Sequence, residues 1–354
     1  MILVSEDDLS DLRNRLQATR WPQPWPGTGD LAWTAGTPAG ELRRLAEYWA
    51  DGYDWPFHEA AINALPWHSA VIDAVPVRYL RFEARRSGAL PLLLTNGWPS
   101  SFYELVGLAR RLSETFTVIV PCLPGFPGAL VTAVSMPTHE LWYRLMSEHL
   151  GFARYGAHGG DLGAGTTARL AQAHPSAVTG IHVMSVADPV RYDLDSLSDE
   201  ERTYLAEVAA WFSAEGAYEH QQMTRPTTLS YGLSDSPVGL LGWLLEKYHA
   251  WGARFDDDAI LTQASLYWHT NTIATSFRPY WDYAEGRTER VLRVDVPTAV
   301  AVFPGDLTQP PRSWAERSYN VVRYTRMPRG GHFSPHDEPD LLAADLTEFF
   351  ADLA

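Results

Sequence analysis

The sequence predicts an α/β fold: a mostly parallel sheet with a helical block inserted before its last two strands. Three observations carry this. Short apolar runs alternate with helical segments between about residues 70 and 188, and such alternation builds a parallel sheet with helices on its faces. Strand patterns then vanish from about Pro189 to Leu292, a stretch that reads as helical and is rich in aromatics. They return at 296–302 and 321–324, ahead of a final helix over about 338–352.

From the N-terminus, residues 8–19 place Leu9, Leu12 and Leu16 on one helical face. Arg20-Trp21-Pro22 stops that helix and Trp25-Pro26-Gly27 extends the break. Leu42, Leu45, Tyr48 and Trp49 predict a second helix over about 40–53, after which Tyr53-Asp54-Trp55-Pro56 reads as another break. This leader, 1–69, is too thin to bury a core of its own and is expected to wrap around the rest of the chain. Val71-Ile72-Asp73 and residues 77–82 read as a hairpin pair. The runs at 90–95 and 116–120 are apolar throughout, as strands buried on both faces are. A short strand at 154–157 and a longer one at 178–186 complete the first part, with helices over 101–112 and 138–150 between them. The expected division is a leader (1–69), a first core part (70–188), a helical cap (189–292) and a second core part (293–354).

Composition narrows the function. With 28 basic against 43 acidic residues, the chain carries a formal charge of −15. That balance argues against nucleic acid and anionic membrane partners, which need a basic footprint. The single cysteine, Cys122, excludes an intramolecular disulfide framework and suits a reducing, cytoplasmic setting. The first eight residues lack the pattern of a signal peptide. No apolar run nears the roughly 18 residues of a membrane span. Trp, Tyr and Phe make up 12% of the chain, enough to fill a core and also line an apolar pocket.

Chemistry concentrates at Gly159-Gly160-Asp161-Leu162-Gly163, between a strand and a helix. This is the pattern of a nucleophile elbow with Asp as the nucleophile. Small neighbours are needed because the turn is sharp. The helix N-terminus favours a negative charge there and is expected to keep Asp161 ionised. The other partners come in chain order after later strands: Asp306 in Phe303-Pro304-Gly305-Asp306-Leu307, and His332 in Arg329-Gly330-Gly331-His332-Phe333. Open α/β sheets place their sites at such strand ends. A carboxylate nucleophile suits attack on a saturated carbon bearing a leaving group, such as an epoxide or a haloalkane. The alkyl ester so formed would be hydrolysed by water activated by His332, oriented by Asp306. Backbone N–H groups of Trp98 and Leu162 are the expected oxyanion donors.

These residues resemble the microsomal-type epoxide hydrolases of the α/β-hydrolase fold, including bacterial members that share the N-terminal region. The resemblance spans nearly the whole chain. It covers Asp11-Leu12-Arg13-Asn14-Arg15-Leu16 and Thr19-Arg20-Trp21-Pro22 in the leader. It continues through Asn96-Gly97-Trp98-Pro99-Ser100-Ser101-Phe102-Tyr103-Glu104, Pro121-Cys122-Leu123-Pro124-Gly125-Phe126 and Gly159-Gly160-Asp161. Asp235-Ser236-Pro237-Val238-Gly239-Leu240 extends it into the cap, and Arg329-Gly330-Gly331-His332-Phe333 with Glu338-Pro339-Asp340-Leu341-Leu342 into the tail. It implies Asp161 as nucleophile, Asp306 as the acid that orients the base, and His332 as base. Tyr218 and Tyr280 are implied as cap acids that protonate the epoxide oxygen. It also implies a small-molecule epoxide substrate, no metal or cofactor, and room for a homodimer; the family's membrane anchor has no counterpart in this sequence, so a soluble protein is expected. The aromatic cap suggests a bulky or aromatic epoxide.

The sequence departs from the family pattern at two positions beside the nucleophile. Asn96 stands where His is usual, and Leu162 where Trp is usual. Asp306 is also shorter than the Glu common in microsomal members. These departures keep open a second reading, a natural-product enzyme that opens epoxides without hydrolysis, or cyclises or couples carbon centres. A haloalkane dehalogenase is disfavoured because Leu162 cannot supply an indole donor to halide. A catalytically idle binding module is disfavoured by the complete Asp, Asp and His set. Gly163-Ala164-Gly165-Thr166-Thr167-Ala168, with Asp188 about 20 residues on, mimics a dinucleotide fingerprint but falls inside the helix. Pro335 between His332 and His336 argues against a zinc helix.

Overall fold

The structure, a computed structural model, describes residues 2–23 and 33–353. The expected break at Trp25-Pro26-Gly27 lies outside them. The leader carries α1 (Glu6–Gln17), α2 (Ala39–Asp51) and α3 (Trp55–Asn63). Ser5 and Asp8 close a capping box that starts α1 at Glu6, two residues before the expected start at residue 8. Helix α3 occupies the stretch read as a break at Tyr53-Asp54-Trp55-Pro56. Proline breaks a helix interior but fits its first turn, where no N–H partner is lost. Here Pro56 sits in that turn and the Asp54 side chain caps the Phe57 N–H.

An eight-stranded sheet forms the centre. Its order is β1 (Trp67–Ile72), β2 (Val75–Phe82), β4 (Thr117–Pro121), β3 (Pro91–Thr95), β5 (Tyr155–Gly159), β6 (Val178–Val183), β7 (Val294–Val302) and β8 (Tyr319–Arg326). The β1–β2 hairpin turns at Asp73 and Ala74, both at positive φ, the geometry a tight two-residue hairpin requires. Strands β1, β2 and β4 pair antiparallel, and the rest of the sheet is parallel. Side-chain alternation splits the core into two layers. Leu93 and Ile119 point into one, while Leu92, Leu94, Val118 and Val120 point into the other. Helices α4 (Val106–Leu112), α5 (Thr138–Tyr143) and α6 (Leu162–Ala173) follow β3, β4 and β5. The helix expected over 138–150 widens into a π turn at Arg144–His149.

Between β6 and β7 come seven cap helices and no strand: α7 (Asp199–Glu215), α8 (Ala217–Thr224), α9 (Pro226–Asp235), α10 (Pro237–Ala250), α11 (Asp257–Thr270), α12 (Ile273–Ser276) and α13 (Arg278–Ala284). The short α14 (Arg312–Glu316) separates β7 from β8. Then α15 (Ser334–Asp337) leads into α16 (Pro339–Ala351), which packs beside α4. The leader straps the cap as well as the core. Trp49 Nε1 donates to Ser265 Oγ at 2.9 Å, Thr37 Oγ1 to the Gly242 carbonyl at 2.8 Å, and Tyr48 to Asp258 at 2.7 Å. The sheet edge also reaches into the expected leader, since β1 begins at Trp67. No helix among the described residues is long and apolar enough to cross a membrane.

Candidate active site

The site gathers where β3 and β5 lie side by side while their connections leave in opposite directions. A crevice opens at such a point beyond the strands' carboxyl ends. Register pairs Thr95 with Gly159, so the loop after β3 meets the turn after β5. At that turn Asp161 adopts φ 50°, ψ −126°. A non-glycine residue at positive φ is strained by about 1–3 kcal/mol and is held there only by its surroundings. Those surroundings are tight. A Cβ on Gly163 would lie 2.0 Å from the Thr95 carbonyl oxygen, and one on Gly159 would lie 2.3 Å from the Gly163 backbone. Gly163 therefore serves close packing of α6 on β3, not a dinucleotide. Gly163→Ala is expected to cost about 3 kcal/mol of stability, read by urea denaturation; an unchanged midpoint would contradict this packing.

Gly97 is constrained from the other side, since a Cβ there would lie 2.4 Å from Asp161 Cβ. That approach lets the Trp98 N–H donate to Asp161 Oδ1 at 2.8 Å. The Leu162 N–H also favours the charged carboxylate. Burial pushes the Asp161 carboxyl above its usual range, against the His332 charge and these two N–H groups. The helix N-terminus thus opposes a desolvation cost that comes from the fold and not from the local sequence.

Asp306 and His332 are brought together by the next strands. A parallel bridge pairs Gly305 with Gly331, one residue before each. His332 Nδ1 and Asp306 Oδ1 lie 2.7 Å apart, and His332 Nε2 faces Asp161 Oδ2 at 4.0 Å. Burial disfavours an imidazolium, but Asp306, Asp161 and Glu104 outweigh it and raise His332 to about 9. His336 turns instead toward Phe255 and Asp337. Among the described residues, no cluster of three or more His, Cys, Asp or Glu could hold a metal.

The cap supplies an aromatic roof. Tyr218 stacks on Trp98 with centroids 5.4 Å apart, and Tyr280 meets both edge-on. Burial, then the Asp161 charge, push both phenols well above their usual value, so both are protonated at neutral pH. The Tyr280 hydroxyl is buried with no hydrogen-bond partner among the described residues. Trp251 packs edge-on against Tyr218 and His332, both at 5.0 Å. Other cap aromatics serve elsewhere. Tyr267 and Tyr248 donate to the carbonyls of Ser100 and Pro99, anchoring the loop that carries Trp98, and Tyr231 is exposed.

Residues 1–105 match the model of the epoxide hydrolase N terminus, and residues 92–345 match that of the alpha/beta hydrolase family. An inferred epoxide hydrolase of Stigmatella aurantiaca is 36% identical over 99% of this chain and 84% of its own. The chain belongs to the epoxide hydrolases of the α/β-hydrolase fold. Epoxide hydrolase 1 of Sus scrofa is 29% identical over 98% of this chain and 87% of its own. The Aspergillus niger epoxide hydrolase structure superposes with a TM-score of 0.89 at 26% identity, covering 100% of this chain and 96% of that one. The fold and enzyme class expected from the sequence therefore hold.

Two further buried charged residues stand beside the site, and no sequence motif points to them. Lys247 on α10 is buried, with Nζ 4.7 Å from the Tyr218 ring centre and 2.6 Å from Glu246. Glu104 is buried in the 3₁₀ turn Phe102–Leu105, next to the Trp98 loop. Nothing local marks either one, since a charged residue inside an amphipathic segment reads as solvent-facing.

Proposed function

We propose that this epoxide hydrolase opens an epoxide bearing an apolar or aromatic substituent through an ester on Asp161. The observation that carries the reading is the split of the Asp161 carboxylate. Oδ1 is held by the Trp98 N–H, which leaves Oδ2 to attack carbon. Tyr218 and Tyr280, buried and protonated, are the acids. As Oδ2 bonds to an epoxide carbon, the C–O bond breaks and its oxygen takes a tyrosine proton. Esterification removes the Asp161 charge, one of the charges that hold the His332 proton. The imidazolium then returns a proton to the tyrosinate and becomes a neutral base. Water gives it a proton and adds to the ester carbon, while Oδ1 develops charge against Trp98 and Leu162. The ester C–O bond breaks, the second water proton ends on the diol, and the carboxylate and imidazolium are restored.

The aromatic walls, Trp98, Tyr218, Trp251 and Tyr280, support an apolar substituent. Nothing at the site favours the non-hydrolytic reading, since the oxyanion donors are backbone groups that Asn96 and Leu162 leave intact. Tyr218→Phe and Tyr280→Phe are each expected to slow ester formation about 10- to 100-fold, and the double variant at least about 10³-fold. Rapid-quench assays with styrene oxide check this; a double variant at the wild-type rate would sink the acid role. The same coupling sets a pH dependence. In the ester, His332 should titrate below about 9, so single-turnover hydrolysis should rise with pH and level off before that value. A profile still rising through about 9 would contradict the coupling.

A further inference from the structure

The ester route leaves the buried carboxylate of Glu104 without a part. It is 5% exposed and pairs with no Lys or Arg among the described residues. Its hydrogen bond comes from Ser100 Oγ. Burial pushes its carboxyl up to about 7, against that bond and the His332 charge. An unpaired buried acid is costly, and a glutamine could accept the same Ser100 bond. Packing therefore gives no reason for the acid.

Glu104 shares a cavity of about 10 Å³ with Asp161 and His332, and Thr95 and Asn96 are part of its wall. That is the space of a single water, provided polar partners surround it. They do. The Thr95 Oγ1 and Asn96 Oδ1 atoms are both buried and have no hydrogen-bond partner among the described residues. Asn96 spends its Nδ2 on the Gly97 carbonyl, so an acceptor remains.

We propose that this cavity seats the water that hydrolyses the Asp161 ester, and that Glu104 holds it by accepting one of its hydrogens. The proposal rests on the covalent route through Asp161. A water held this way keeps one hydrogen for His332 Nε2 and a lone pair for Asp161 Cγ. Asn96, Gly97 and Ser100 of the Trp98 loop form part of that cavity's wall. Bond changes are those of ester hydrolysis: O–Cγ forms, the ester C–O bond breaks, and the water proton passes to His332. The carboxylate of Glu104 orients and stays as it was. Thr95 Oγ1 can donate to the water's other lone pair, while Asn96 Oδ1, an acceptor, lines the cavity without taking either hydrogen.

The test uses styrene oxide and acid-quenched mass spectrometry of the intact protein. Glu104→Gln is expected to form the ester at the wild-type rate, which also reports an intact fold, and to hydrolyse it about 100-fold more slowly. Ester then accumulates, and kcat and KM fall together while kcat/KM holds. Glu104→Asp, which keeps the charge, is expected to recover part of the hydrolysis rate. Hydrolysis of the ester by Glu104→Gln at the wild-type rate overturns the proposal, as does equal slowing in the Gln and Asp variants, which marks packing. If the wild-type protein itself forms no ester, the covalent route fails and the proposal falls with it, a result distinct from the other two.

Discussion

Asp161→Ala is expected to abolish diol formation, with kcat/KM down by at least about 10⁴-fold. The loss is large because one side chain does two jobs. Oδ2 supplies the bond-forming pair, and its charge helps keep His332 protonated near about 9. Without it, the cap tyrosines can still protonate an epoxide, but nothing below attacks carbon. The variant should fold. Alanine relieves no contact that α6 needs, and the turn is held by Gly159 and Gly163 against β3. Circular dichroism and thermal melting check the fold, and gas chromatography of styrene glycol checks turnover. Activity within 100-fold of wild type would remove Asp161 from the chemistry.

His332→Gln is the second large effect, and it separates the two half-reactions. Opening needs Asp161 and the tyrosines; hydrolysis needs the imidazole. The variant should still open styrene oxide, more slowly, because it lacks the His332 charge that opposes the upward push of burial on the Asp161 carboxyl. Ester hydrolysis should fall by about 10³- to 10⁴-fold, so a stoichiometric ester should persist on the protein. Asp306→Asn should show the same trapped ester in milder form, since it loses the charge 2.7 Å from Nδ1 but keeps a hydrogen-bonding group. Multiple turnovers by His332→Gln would place the base elsewhere.

Much of the fold and the site was legible in the sequence, for physical reasons. The strands of the core are short apolar runs whose composition already marks them for burial on both faces, and they fall within a few residues of expectation. Asp161, Asp306 and His332 announce themselves through glycines that the backbone needs, because Gly159, Gly163, Gly305 and Gly331 lie where chains nearly touch. The cap tyrosines carried no such signal and were reached only through family resemblance. Helix α3 was lost because Pro56 looks the same to a local pattern whether it ends a helix or starts one. Glu104 and Lys247 were invisible for a different reason. Their burial comes from segments far away in the chain, and a charged residue carries no mark of what will later cover it. The leader shows the same limit. It was expected to wrap around the rest of the chain, but nothing local says that Trp49 and Tyr48 would bond to cap helix α11.

The central claim is the ester on Asp161, and a single turnover in ¹⁸O-water tests it most directly. Enzyme in excess over styrene oxide is allowed one cycle, then digested, and the peptide containing Asp161 is weighed. The account predicts one ¹⁸O in the Asp161 carboxylate and an unlabelled first-turnover diol, because the diol takes its new oxygen from Oδ2. Label in the diol, with none in Asp161, would mean that water attacks the epoxide directly and that the carboxylate is not the nucleophile.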